Sequence, residues 1–147
     1  MKTVNFLFLI FIAFSAQSLF AVCKGFNISY HNHPNGGGFV ESTAFVADSA
    51  FVGPNAYICG NAKILDNAKI YGSVHVMNNT VVSGDAKIHG KISVLGGEIC
   101  GTAHLYGNYF TPTDEEEKLV ISKGRIGSFQ KLASFMFHRM KDHSCST

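Results

Sequence analysis

The sequence contains no tryptophan, only three prolines and no CxxC pair. Without CxxC, a zinc knuckle or a thioredoxin-like redox site has no basis. Charge is sparse as well: 15% of residues are charged and the formal net charge is +2. So small a positive excess exerts no long-range pull on nucleic acid or on an anionic membrane, and neither is an expected partner. No apolar run reaches the about 20 residues that cross a bilayer.

The longest such run, Phe6 to Phe14, follows Lys2 and precedes the more polar Ser15 to Ser18. A positive start, a short apolar stretch and small residues near Ala21 have the form of a secretory signal. Residues 1–21 are therefore expected to be removed, which leaves no membrane span and places the mature chain in a secreted or periplasmic setting. Export permits disulfides. Cys23, Cys59, Cys100 and Cys145 allow three pairings.

Glycine is abundant, with 15 residues, and it recurs at fixed intervals. From Ala44 the chain reads AFVADS, AFVGPN, AYICGN, AKILDN, AKIYGS, VHVMNN, TVVSGD, AKIHGK. The unit is six residues. Its first position is small or β-branched and its third is always Val or Ile. GFVEST at Gly38–Thr43 is one more unit. The stretch from Ile92 to Gly96 is one residue short, after which GEICGT and AHLYGN resume the phase. In a strand, side chains alternate between faces, so positions one and three point inward and position two points out. In nearly every unit positions four to six include Gly, Asn, Asp, Ser or Pro, which suit bends. A short strand and a bend in every unit predict a coil that stacks on itself.

The run Val52-Gly-Pro-Asn-Ala-Tyr, Ile58-Cys-Gly-Asn-Ala-Lys resembles the bacterial hexapeptide-repeat family, over about half the chain. His33-Pro-Asn-Gly-Gly-Gly-Phe-Val is similar to the start of uncharacterised secreted and phage-type members. The resemblance implies an all-β fold, a single-stranded left-handed parallel β-helix of about four coils with three strands per coil. The expected organisation is a signal peptide at 1–21, an N-terminal cap segment at 22–37, the β-helix at 38–110 and a C-terminal helical segment at 111–147.

With three units per coil, one face carries Phe45, Lys63, Val81 and Glu98. A second carries Phe51, Lys69, Lys87 and His104, and the third Phe39, Tyr57, His75 and Ser93. No face bears a threonine ladder, so a flat ice-binding surface has no support. Phe39, Phe45, Phe51 and Tyr57 cluster at the N-terminal end, either as an exposed patch or under a cap made by residues 22–37. Cys59 and Cys100 fall on different faces and are not expected to pair. Cys23 and Cys145 lie outside the repeats, where a clip between them fits. Thr113-Asp-Glu-Glu has capping-box form and predicts a helix from Asp114 to Ser122. Phe129 to Lys141 has one apolar face and predicts a second.

Two enzymatic readings come with the resemblance. Family acyltransferases are usually trimers that use histidine as general base between protomers. The candidates here are His75, His89 and His104, none in a matching motif. The γ-class carbonic anhydrases of the family bind zinc through three histidines at a spacing this chain lacks. His31 and His33 form a short pair without a third ligand, so no metal and no cofactor is expected. The expectation is a non-enzymatic structural or binding protein, monomer or homotrimer, that presents a rigid surface to a protein or glycan. The residues assigned to that surface are Phe51, Tyr57, Lys69 and Lys87.

Overall fold

A computed structural model describes residues 28–110 and 119–127, together with Cys23 and Cys145. The signal segment and the expected second helix lie outside these residues. The described residues form a parallel β-solenoid of about four turns. Its first face stacks β3 (Phe45–Val46), β6 (Lys63–Ile64), β9 (Val81–Val82), β11 (Glu98–Ile99) and β13 (Val120–Ile121). The second stacks β4 (Phe51–Val52), β7 (Lys69–Gly72), the start of β10 (Lys87–Val94), the start of β12 (His104–Phe110) and β14 (Arg125–Ile126). The third stacks β2 (Phe39–Glu41), β5 (Tyr57–Ile58), β8 (His75–Val76) and the end of β10.

The registers match the face assignments residue for residue: Phe45 with Lys63, Phe51 with Lys69, Phe39 with Tyr57. Glu98 pairs with Val81, so the missing residue before Gly97 is absorbed at a corner and the ladder continues in phase. Positions one and three fill the core. Ala50, Ala56, Ala62, Ala68, Val52, Ile58, Ile64, Ile70 and Ile88 are fully buried. Thr80 occupies a first position and is also buried, with its hydroxyl donating to the Met77 carbonyl at 2.6 Å. Position five turns the corner. Gly60, Asp66, Gly72, Asn78, Gly84, Gly90, Gly101 and Gly107 all have positive φ, a conformation that glycine adopts freely and Asn and Asp tolerate.

The C-terminal part departs from the sequence reading. Val120–Ile121 lies at the end of the expected helix Asp114–Ser122 but is a strand, paired in parallel with Glu98–Ile99. Arg125–Ile126 adds in the same way to His104–Leu105. The parallel stack therefore runs on past residue 110. Ile121 is buried beside the core residues Ile99 and Val82, and that burial holds Val120–Ile121 as a strand, while residues 114–118 of the expected helix lie outside the described residues. No helix occurs among the described residues.

The N-terminal segment forms β1 (Tyr30–Asn32), antiparallel to β2. Its turn, His33–Gly38, lies across β4: Val52 donates its N–H to the Asn35 carbonyl, and Gly38 donates to the Val52 carbonyl. The hairpin thus blocks the exposed edges of two faces, which would otherwise be open to pairing with another chain. It also divides the aromatic cluster. Tyr30 meets the Tyr57 ring edge-on, whereas Phe45 remains 56% exposed.

The disulfides join Cys23 to Cys59 and Cys100 to Cys145, with Cα separations of 6.0 and 5.9 Å. The expected Cys23–Cys145 clip is therefore not formed, while Cys59 and Cys100 do stay unpaired with each other. The reason is length. Coils stack at about 4.8 Å, and a disulfide tolerates a Cα separation of no more than about 6.8 Å. Each terminal cysteine is tied to a nearby corner. Cys59 shares its corner with Met77, and the two pack with Cys23, Tyr30 and Leu95.

Candidate functional site

Strand alternation turns every second-position side chain outward, and the parallel ladder sets successive coils in line. On the second face this produces a row: Phe51, Lys69, Lys87, His104 and Arg125, each opposite the next. Lys69, Lys87 and Arg125 are exposed, and Phe51 and His104 are half-buried. Arg125 joins the row only because β14 pairs with β12.

The corners on either side wall this row. On one side stand Ser49, Asn67 and Asp85, all sixth-position residues from successive coils. On the other stands Tyr71. With Asn35 from the N-terminal turn, they enclose an open groove of about 810 Å³ over Phe51, Lys69 and Lys87. The Asn35 amide is held by donating to the Ala50 carbonyl at 2.9 Å.

Beyond Tyr71 the same corner carries a ring column. Tyr71 stacks on His89 with centroids 4.9 Å apart and planes 3° from parallel, and His89 stacks on Tyr106 at 5.9 Å. These are fourth-position residues in ladder register. Arg125 lies over Tyr106 at 5.5 Å, within cation–π range. His104 reaches across from the row, and its Nε2 lies 2.8 Å from Nε2 of His89. One ring must donate and the other accept, so the contact cannot hold two imidazolium ions.

Three of the four surface residues expected from sequence, Phe51, Lys69 and Lys87, line one groove. Tyr57 does not belong with them. It sits on the third face, stacked between Phe39 at 4.7 Å and His75 at 5.2 Å. Of the three candidate histidines, His89 and His104 meet and His75 stands apart. Sequence reasoning missed Tyr71, Tyr106, Arg125 and the polar wall. The near-18-residue spacing of Tyr71, His89 and Tyr106 was the available signal for the column. His33 is buried, its Nδ1 3.2 Å from the Asn35 carbonyl, and His31 is exposed. Among the described residues no three His, Cys, Asp or Glu side chains gather into a metal site.

Burial lowers the pKa of His75 below 6.5. His104 is lowered by burial first, then by the nearby His89, Arg125 and Lys87. With folded values below 6.5, the unfolded chain binds more protons than the folded one as pH falls past that point. The stability these residues contribute is complete above that pH and is lost as pH drops through it toward the folded values. Urea midpoints measured from pH 7.5 to 5 should fall with acidification. The fall should be shallower in a His75→Gln, His104→Gln double variant, and an unchanged slope would contradict this assignment.

No protein-family model, curated protein or solved structure matches the chain.

Proposed function

We propose that this chain is an exported, non-enzymatic binding module of the hexapeptide-repeat kind, with a left-handed coil and its docking surface on the second face. The observation that carries the reading is the groove over Phe51, Lys69 and Lys87, whose floor is fixed rung by rung by the backbone ladder. A surface so held loses little conformational entropy on binding a glycan or a protein. Export is supported by the signal-like residues 1–21 and by the pairing of all four cysteines, which suits an oxidising compartment. Cleavage after Ala21 would leave Cys23 in the mature chain.

The His89–His104 contact favours one competing reading, a hexapeptide-type acyltransferase in which one histidine deprotonates an acceptor hydroxyl or amine. That chemistry needs an acyl thioester and, in the family, a site between protomers.

Light scattering of residues 22–147, an acetyl-CoA titration and a glycan array separate the two. The binding module should be monomeric, should ignore acetyl-CoA, and should show array signals that Phe51→Ser abolishes and His75→Ala leaves alone. A trimer that binds acetyl-CoA and loses turnover on His89→Ala or His104→Ala would overturn it.

A further inference from the structure

The row on the second face has a charge pattern that calls for a partner. Lys69 and Lys87 are direct neighbours across one strand pair, and Arg125 follows His104 at the C-terminal end. Like charges set opposite one another in a ladder are destabilising. Among the described residues no carboxylate forms an ion pair with Lys69, Lys87 or Arg125. Among the described residues Asp85 is the single acid lining the groove. The chain as a whole is nearly neutral, so this concentration of cations is local.

We infer that the groove binds a linear polyanionic glycan, carboxylated or sulfated, lying along the solenoid axis; this rests on the binding-module reading above. Spacing selects the class of polymer. Successive rungs are about 4.8 Å apart, the separation of hydrogen-bonded strands. One pyranose of an extended 1,4-linked chain advances by a similar distance, so the sugars of such a chain keep step with the rungs. An extended peptide advances by about 3.3 Å per residue, so its units do not keep step with the rungs. Ser49, Asn67 and Asp85 repeat at the same interval as the cations and offer a hydrogen-bonding partner to the hydroxyls of each sugar. Phe51 closes the N-terminal end of the row beneath the His33–Gly38 turn with an apolar surface suited to a ring face.

The test uses the oxidised mature protein and two polymers of one backbone: polygalacturonate and its fully methyl-esterified form. Chondroitin sulfate serves as the sulfated probe. Calorimetry should show binding to at least one anionic polymer, at least ten-fold weaker binding to the neutral ester, and steady loss as salt is raised. Lys69→Gln and Lys87→Gln should each weaken binding several-fold. Lys63→Gln, on the first face, should leave it unchanged and serves as the control for non-specific charge. Equal binding to the neutral ester, or an equal loss in Lys63→Gln, would overturn the polyanion inference while the binding module stands. Binding to neither anionic polymer would also overturn it, and the glycan array would then decide the broader reading on its own.

Discussion

Replacing Gly90 with alanine is expected to destabilise the protein by at least about 3 kcal/mol. Gly90 has φ +109° and sits in register between Gly72 and Gly107 at one corner of the stack. A Cβ built there runs into the Gly107 carbonyl oxygen and comes within 2.9 Å of the Gly107 nitrogen. Both are backbone atoms of the next coil, so no flexible side chain can give way. The strain of positive φ for an L-residue, about 1–2 kcal/mol, adds to that collision. The melting temperature should fall by more than about 10 °C. Gly96→Ala is the matched control. Its Cβ would meet nothing within 4 Å and its φ is not in the left-handed region, so its melt should be nearly unchanged. Equal melts for the two variants would mean that the coils do not stack in this register.

Removing either disulfide should have a comparable or larger effect. Cys23–Cys59 closes a separation of 36 residues and Cys100–Cys145 one of 45. Chain-entropy reasoning assigns about 4 kcal/mol to each loop, through restriction of the unfolded chain. The paired variants Cys23→Ser with Cys59→Ser, and Cys100→Ser with Cys145→Ser, should each lower the urea midpoint strongly and by similar amounts. The ends of the solenoid should respond differently in hydrogen exchange. Loss of the first bond should expose the β1–β2 hairpin, and loss of the second the β11–β13 pairing. Non-reducing peptide mapping of the wild type provides the sharpest check. A peptide joining Cys23 to Cys145 would refute the pairing on which both expectations stand.

The two faces that most concern function differ in how far the sequence revealed them. Phe51, Lys69 and Lys87 could be placed in one row beforehand, because each lies at the second position of a unit and three units make a coil. Their groove could not be seen. It needs Asn35, which belongs to no repeat and arrives through a turn folded back over Val52. It also needs Tyr71, a fourth-position residue whose direction depends on the corner. Tyr57, already on the third face by its repeat position, stacks between Phe39 and His75 there and so lies outside the groove. The His89–His104 contact joins a fourth position to a second position one coil on, an offset that no single-column reading brings together.

What the sequence determined by itself was the repeat, the inward residues, the three outward rows and the bend positions. All of these follow from one local rule, the alternation of side chains along a strand, applied with a period of six. That rule carried through the one-residue deletion before Gly97, since a corner can absorb a residue without disturbing the strands beside it. Only the tertiary structure decided the rest: which cysteines pair, that Val120–Ile121 and Arg125–Ile126 rejoin the stack as strands, and that His89 meets His104. Each of these depends on contacts between segments far apart in sequence, where burial and the reach of a disulfide outweigh local propensity.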